Sequence, residues 1–224
     1  MKAAVFGGTG AVGSELVLHL LKSEKWSTVI TVGRRPLAAE VAAMGVDKIQ
    51  HFKINMDNIA VEAEPALKGV DTVFWVLGTT RKDAGSAAQF IKVELEWLTD
   101  VAKVAKQNGC KHFSLLTSQG ANAGFWSCGL LYPKTKGLAE EAVKAQLFAR
   151  TSIFRPGLLD RGDKARAVEA ALLNIVPTIK AVDVAKVMIW DAEAWNDHKG
   201  GTSVEVFSMG SMQKAAKLGS APLP

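Results

Sequence analysis

The sequence predicts a doubly wound α/β fold with about seven mostly parallel strands, and three observations support that prediction. Short apolar runs alternate with longer amphipathic stretches along the whole chain. Several of the short runs are continuously apolar, which is typical of parallel strands covered by helices on both faces. The first run leads directly into a glycine-rich segment, residues 7–13, that precedes a helical pattern. Parallel strands need crossover connections, so strands and helices are expected to alternate.

The individual elements follow from the period of the apolar residues. The first strand is a short apolar run, and the second is rich in β-branched residues. The third is weaker and the fourth is the most apolar, ending at Leu77. The fifth and sixth are again short apolar runs, and the seventh lies near the carboxyl terminus. The predicted strands are residues 3–6, 29–32, 48–52, 70–77, 112–116, 152–154 and 204–207.

Helical periodicity fills the intervals between these strands. It is strong in three segments and weaker in three others near the carboxyl terminus, which we expect to form a small C-terminal elaboration. The predicted helices are residues 13–22, 86–107, 131–150, 165–174, 182–190 and 209–217.

Composition limits the domain organisation and the class of protein. A chain of 224 residues with 48% hydrophobic content can bury one substantial core, so we expect a single domain over residues 1–224. The two cysteines, Cys110 and Cys128, are too few for a disulfide framework. The apolar start is better explained as a buried strand than as a secretory segment, because glycines interrupt it. A cytoplasmic protein with reduced thiols is the expectation.

The distribution of charge and the length of the apolar stretches argue against two other classes of protein. The net charge is +5, but the basic residues are scattered and no run exceeds Arg34-Arg35 or Arg81-Lys82. Nucleic acid is therefore not expected as the primary ligand. No apolar stretch approaches the roughly 20 residues that cross a bilayer, so no membrane span is expected.

The glycine segment has the spacing expected of a phosphate-binding turn. Gly7 allows a tight turn, Gly10 lets the backbone approach a pyrophosphate, and Gly13 permits close packing of helix on strand. Any tight strand-to-helix turn also favours glycine, which is the simpler alternative. The position at the end of the first strand favours a dinucleotide site. Its expected contacts include Thr9, Ala11 and Val12.

A second cofactor signal lies at the end of the second strand. An NAD-binding fold usually carries an acidic residue there for the ribose 2′-hydroxyl, but this chain has Arg34 and Arg35. A guanidinium can bind the 2′-phosphate of NADP through two charge-assisted hydrogen bonds. We therefore predict NADP(H) as the cofactor. Solvated loop arginines are the alternative explanation.

Small residues follow the fourth strand, where the ligand crevice of an open parallel sheet lies. Leu77, Gly78 and Thr79 leave room for a ribose, and Gly78 allows close backbone approach. Arg81 and Lys82 come next and either contact phosphate or face water.

Three side chains are the predicted catalytic group. Tyr132 is the only tyrosine in the chain, and Lys136 follows it by four residues, on the same face of a helix. The positive charge of Lys136 favours proton exchange by the phenol, which would donate to a carbonyl oxygen or accept from an alcohol. Ser118 follows the fifth strand and can polarise that oxygen, with Thr117 as its nearest competitor. A satisfied core tyrosine beside an exposed lysine is the alternative. None of these assignments involves a metal ion.

These motifs together resemble the atypical branch of the short-chain dehydrogenase/reductase superfamily around the Tat-interacting tumour-suppressor oxidoreductases. The resemblance covers essentially the whole chain and rests on GGTGAVG, VGRR, LGTTRKDAG, CKHFSLLTSQGA, LYPKTKG and SIFRPGLL. It implies an NADPH-binding Rossmann fold with Tyr132 as acid/base and Lys136 on the ribose. It also implies that the turn at Pro156 and Gly157 meets the nicotinamide amide, and that Leu159 lies near the cofactor.

The chain departs from its relatives at two places, and Pro133 adds a local backbone constraint. The asparagine that completes a proton relay in many of them has no clear equivalent in residues 86–107, so water is the expected substitute. His51 stands nearest the position where relatives carry an aspartate beside the adenine. Pro133 follows Tyr132 and is tolerated only near a helix start, so Tyr132 is expected in the first turn.

The sequence thus supports two classes of function. The first is an NADPH-dependent oxidoreductase of the carbonyl reductase type, acting on a small hydrophobic aldehyde or ketone. The second is an NADPH-binding regulatory protein that works through protein partners with little turnover. The expected assembly is a monomer or a homodimer. The expected substrate pocket is apolar and lined by Phe125, Trp126, Cys128, Leu158 and Leu159, although these are alternatively core or lid residues.

Overall fold

The computed structural model describes residues 1–125, 130–161, 177–196 and 201–219. Within these residues the strands are β1 (Lys2–Phe6), β2 (Thr28–Gly33), β3 (Ile49–Lys53), β4 (Thr72–Trp75), β5 (His112–Leu116), β6 (Arg150–Arg155), β7 (Leu158–Asp160), β8 (Thr178–Lys180) and β9 (Ser203–Ser208). The main sheet has seven parallel strands in the order β3-β2-β1-β4-β5-β6-β9, which confirms the predicted fold class. A separate two-stranded sheet pairs β7 with β8.

Helices pack on both faces of the main sheet. The α-helices of the described residues are α1 (Ala11–Lys22), α2 (Ala39–Ala43), α3 (Ile59–Glu62), α4 (Glu64–Leu67), α5 (Arg81–Ala84), α6 (Ala87–Ile91), α7 (Trp97–Gln107), α8 (Leu131–Lys144), α9 (Ala181–Asn196) and α10 (Met209–Leu218). The segment between α6 and α7 is π-helical, Lys92–Glu96, and a 3₁₀ turn precedes α3 at Met56–Asn58. None of the helices in the described ranges has the length and apolar character that a membrane span requires.

The first strand shows why the core has two layers. Successive side chains of a strand point to opposite faces, so Ala4 and Phe6 pack on one side of the sheet and Ala3 and Val5 on the other. The first layer includes buried side chains of α7 and α8, and the second includes those of α1, α9 and α10. Chain order reverses between β1 and β4, which creates the crevice in which open parallel sheets bind ligands.

Two predicted elements have different limits in the structure. The helix predicted over residues 131–150 is too long, because α8 ends at Lys144. Leu147 takes a positive φ of 53°, and Phe148 turns into the core beside Phe113, with 5.2 Å between the ring centroids. Burial of Phe148 therefore overrides the helical pattern, and Arg150 begins β6.

The fourth strand is shorter than predicted and spans only Thr72–Trp75. Leu77 and Gly78 consequently lie in the loop beyond its carboxyl end. The helix predicted from residue 13 begins at Ala11. The helix predicted over residues 165–174 lies outside the described residues.

A buried polar network crosses the sheet near the amino ends of its strands. His112 of β5 lies 3.0 Å from the Ser152 hydroxyl, which donates to Asp191 of α9. Arg150 donates to the same carboxylate at 2.6 Å. Burial, reinforced by the positive charge of Arg150, lowers the pKa of His112 to about 3. This network lies at the amino ends of the strands, whereas the crevice lies at their carboxyl ends. We therefore expect it to contribute to stability rather than to ligand binding.

Candidate functional site

The glycine turn connects β1 to α1 and leaves no room for side chains. Gly7 has a positive φ of 94°, and a Cβ there would lie 2.6 Å from the backbone nitrogen of Leu77. A Cβ at Gly13 would lie 2.0 Å from the carbonyl oxygen of Gly7. Glycine thus brings the turn against both the loop after β4 and the first turn of α1. No side chain caps α1 at Gly10, so the N–H groups of that turn are suited to an anion.

One cavity, of about 360 Å³, extends from this turn toward the ends of β2 and β3. Arg34 and Arg35 are exposed at its rim, and Arg35 donates to the Thr9 hydroxyl at 3.4 Å. His51 also lines it and lies 2.9 Å from the Thr31 hydroxyl. Partial burial lowers the pKa of His51, which favours the neutral ring. The positive charge at the rim of this cavity is therefore supplied by the two arginines, while Asp83 is an acidic residue that also lines the cavity.

A second cavity, of about 420 Å³, lies over the ends of β1, β4, β5 and β6. It adjoins the first, since both are lined by Gly10 and by residues 76–79. The two cavities therefore form one cleft. The glycine turn lies between the end that carries the two arginines and the end that carries Tyr132 and Lys136. The sequence-predicted residues that line the second cavity are Gly10, Ala11, Val12, Leu77, Gly78, Thr79, Thr117, Ser118, Tyr132, Lys136, Pro156, Gly157, Leu158 and Leu159.

Tyr132 and Lys136 reach the second cavity from the start of α8. The helix begins at Leu131, so Tyr132 lies in its first turn, in agreement with the constraint that Pro133 imposes. Tyr132 is 41% exposed, and its ring stacks on Phe90 with 5.7 Å between centroids. The Lys136 ammonium is buried and lies 5.9 Å from the centroid of the Tyr132 ring. A phenol open to the cavity thus stands beside a fixed cation.

Close packing at Gly137 sets the position of this helix. A Cβ there would lie 2.1 Å from the backbone nitrogen of Ala123 and 2.3 Å from the carbonyl carbon of Asn122. The Asn122 N–H also donates to the carbonyl of Pro133 at 3.0 Å. The glycine after Lys136 therefore lets α8 meet the loop after β5 backbone to backbone.

The sequence placed two hydroxyls after β5, and the structure separates their roles. Thr117 is buried and donates to the Glu140 carboxylate at 2.8 Å. Glu140 also pairs with Arg155, which ties α8 to the end of β6. Ser118 lines the second cavity, and its hydroxyl oxygen is buried without a hydrogen-bond partner among the described residues. Both residues line the second cavity, but only the hydroxyl of Ser118 is uncommitted.

Glu94 is a site residue that the sequence analysis missed. Its carboxylate is buried, lies 2.6 Å from the Lys136 ammonium, and accepts the backbone N–H of Thr79. Burial acts to lower the pKa of Lys136, but attraction to Glu94 and Tyr132, with the hydrogen bond to Glu94, outweighs it and raises that pKa. The helical pattern is the signal that could have revealed this residue. Glu94 lies four residues from both Phe90 and Leu98, on the apolar face.

Part of the predicted substrate pocket can be placed. Leu158 and Leu159 line the second cavity, whereas Phe125 lines neither of the two. Trp126 and Cys128 lie outside the described residues. Within the described part of the chain, no group of three or more His, Cys, Asp or Glu side chains is arranged to hold a metal ion.

Several known proteins are similar to this chain in sequence. A family model described as NAD(P)H-binding matches residues 7–190. The chain is 37% identical over 155 residues to protein HTATIP2 of Rattus norvegicus, a match that covers 69% of this chain and 61% of the rat protein. It therefore spans less than two thirds of that relative. Protein FMP52, mitochondrial, of Debaryomyces hansenii is 37% identical over 172 residues, covering 75% of this chain and 71% of that protein.

Solved structures share the fold at much lower identity. MoeE5 in complex with UDP-glucuronic acid and NAD superposes with a TM-score of 0.70 and 16% identity, covering 99% of this chain and 84% of that chain. UDP-glucose 4-epimerase from Bifidobacterium longum in complex with NAD+ and UDP gives a TM-score of 0.69 at 17% identity, covering 100% and 85%. At these identities, the two structures establish the fold alone.

Proposed function

We propose, from the premise that this chain belongs to the NAD(P)H-binding family and to its atypical short-chain dehydrogenase/reductase branch, that it is an NADPH-dependent carbonyl reductase. The observation that supports this activity is the second cavity, which Ser118, Tyr132 and Lys136 all line. That cavity adjoins the glycine turn, so a dinucleotide bound along the cleft would bring its reactive ring to these side chains.

The residues of the cleft fit such a cofactor. Side chains at Gly7 and Gly13 would collide with neighbouring backbone, so the turn stays open for a pyrophosphate at the start of α1. Arg34 and Arg35 stand at the rim of the adjoining cavity, where a ribose 2′-phosphate would find two guanidinium groups. This charge supports NADP(H) over NAD(H). The bound cofactor would supply hydride to the carbonyl carbon.

The protein's own groups would handle the proton. The Tyr132 phenol is open to the cavity and would donate its proton to the carbonyl oxygen as negative charge develops there. The uncommitted Ser118 hydroxyl would donate a hydrogen bond to the same oxygen. Lys136, held by Glu94, would present its remaining N–H groups to the ribose and its charge to the phenol.

The nature of the substrate and the cellular setting are further parts of the proposal. Leu158 and Leu159 supply apolar surface beside the catalytic side chains, which suits a small hydrophobic aldehyde or ketone. We propose a cytoplasmic monomer or homodimer, although several fungal relatives carry the word mitochondrial in their names. Subcellular fractionation and sedimentation would test these two points directly.

A comparison of turnover and cofactor binding tests the proposed activity. Aldehydes and ketones would be screened with NADPH against the wild type and Tyr132→Phe, which keeps the ring that stacks on Phe90. We expect turnover by the wild type, loss of turnover in the variant, and NADPH binding by both. NADPH binding by a wild type that reduces none of the carbonyls would reject the reductase and favour the regulatory, partner-dependent function.

A further inference from the structure

Glu94 joins two parts of the site that are far apart in sequence. One carboxylate oxygen lies 2.6 Å from the Lys136 ammonium of α8, and the other accepts the N–H of Thr79 in the loop after β4. The exposed fractions of the Glu94 and Lys136 side chains are only 2% and 8%. The carboxylate thus connects the helix that carries Tyr132 to the loop shared by the two cavities.

The local backbone is specialised for this contact. Glu94 is the central residue of the π-helical segment Lys92–Glu96, and such segments occur frequently at functional sites. Gly78 leaves the space that the carboxylate enters, because a Cβ there would lie 3.2 Å from Glu94 Oε1 and 3.7 Å from Lys136 Nζ. A change in helix type and a missing side chain therefore both accommodate the Glu94–Lys136 pair.

We propose that Glu94 is a positioning residue, whose carboxylate keeps the Lys136 ammonium charged and directed into the second cavity while anchoring the loop at Thr79. This inference rests on the proposed function, because it assigns to Lys136 the ribose and phenol contacts described above. An ammonium has three N–H donors, so the bond to Glu94 leaves two for the ribose and the neighbourhood of Tyr132.

The electrostatic setting gives this role a measurable consequence. The acidic groups that act on Lys136 are Glu94 from the π-helical segment and Tyr132 and Glu140 from α8. Glu140 is already paired with Arg155, so Glu94 is the carboxylate in direct contact with the amine. A neutral amide at position 94 would leave a buried ammonium without its counter-charge, and burial would then favour the neutral amine.

Variants of Glu94 test whether its carboxylate positions Lys136 for the cofactor or only stabilises the fold as an ion pair. Glu94→Gln keeps the shape and removes the charge, whereas Glu94→Asp keeps the charge but shortens the reach to Thr79. Glu96→Gln is the matched control, since Glu96 is exposed in the same π-helical segment. Each folded variant would be titrated with NADPH, assayed for turnover against pH, and examined by NMR with ¹³Cε-lysine, the Lys136 signal being assigned with Lys136→Arg.

We expect Glu94→Gln to move the Lys136 titration to lower pH by about one unit or more and to weaken NADPH binding about tenfold or more. NADPH binding and turnover should both decline at high pH, and the pH of that decline should fall together with the Lys136 titration, because both need the charged amine. Glu94→Asp should lie between this variant and the wild type, and Glu96→Gln should match the wild type.

An unchanged Lys136 titration and unchanged NADPH affinity in Glu94→Gln would overturn the proposal, even if that variant were less stable. Should Glu94→Gln fail to fold, a wild-type NADPH affinity and pH profile in Glu94→Asp would overturn it as well. The lysine titration needs no turnover. A wild type without carbonyl reduction would therefore reject the proposed function while the Glu94 inference is still decided by NMR.

Discussion

Thr117 donates a hydrogen bond of 2.8 Å to Glu140, and this bond distinguishes it from the adjacent Ser118. Thr117 is committed to the buried Glu140–Arg155 pair that ties α8 to β6. Ser118 has no hydrogen-bond partner among the described residues and lines the cavity that contains Tyr132. The structure therefore favours a stabilising role for the Thr117 hydroxyl and leaves that of Ser118 available for the proposed chemistry.

Substitution of these two residues should give opposite results. Ser118→Ala should lower kcat about 10²–10³-fold, as expected for loss of a donor to a developing oxyanion, and leave the free energy of unfolding nearly unchanged. Thr117→Val should lower the free energy of unfolding by about 1–3 kcal/mol, because Glu140 loses a buried donor. Steady-state kinetics and urea denaturation measure the two effects. A stable Thr117→Val and a fully active Ser118→Ala would reverse the assignment.

The arginine pair predicts which dinucleotide is preferred. Arg34→Ala combined with Arg35→Ala should weaken NADPH binding about tenfold or more and leave NADH binding almost unchanged, because only NADPH carries the 2′-phosphate. Fluorescence titration with both cofactors measures the difference. Lys82→Ala, at an exposed position on α5, is the control and should alter neither affinity substantially. Equal losses for NADPH and NADH in the arginine variant would refute the assignment.

The backbone contact at Gly137 predicts a reversal of normal helix propensity. In an unconstrained helix interior, replacing Gly with Ala is stabilising by about 1 kcal/mol. Here the new Cβ would lie 2.1 Å from the Ala123 backbone nitrogen, so Gly137→Ala should instead destabilise the protein by about 1–3 kcal/mol or more. It should also reduce turnover, since α8 carries Tyr132. Thermal denaturation with Leu138→Ala, at the exposed next position, provides the comparison; a gain in Tm for Gly137→Ala would contradict the close packing.

The buried network around His112 predicts a loss of stability in acid. The pKa of His112 is lowered to about 3, so the folded protein keeps the ring neutral while the unfolded chain takes up a proton near pH 6.5. Between these values the unfolded state binds more protons, and the free energy of unfolding should fall with decreasing pH by up to about 1.4 kcal/mol per unit. Burial raises the pKa of Asp191, which acts in the opposite direction as it takes up its own proton.

The contribution of His112 can be isolated by comparing variants. Urea denaturation between pH 7 and pH 4 should show a shallower decline for His112→Gln than for the wild type, whatever the stability of the variant at neutral pH. His51→Gln should change the slope less, because His51 is only partly buried whereas His112 is fully buried. Identical slopes for the wild type and His112→Gln would show that His112 does not carry the acid sensitivity.

The elements that the sequence predicted well are those whose signals are local. The buried strands β1, β2 and β5 could be placed within a residue because continuous apolar runs and flanking glycines specify them. The family resemblance was likewise carried by short motifs, and the matching NAD(P)H-binding family and the relatives confirm it. The predicted end of α8 was wrong, because the burial of Phe148 depends on a contact with Phe113 that no local sequence pattern contains.

The residues themselves thus determined the seven-stranded α/β fold, the glycine turn and the candidate group of Ser118, Tyr132 and Lys136, because each depends on spacing along the chain. Only the tertiary structure decided which hydroxyl is free, why Gly137 excludes a side chain, and that Lys136 is paired with Glu94. The physical reason is that these features arise where segments distant in sequence pack together at the carboxyl edge of the sheet. Burial and charge at such contacts are properties of the assembled fold and not of any one segment.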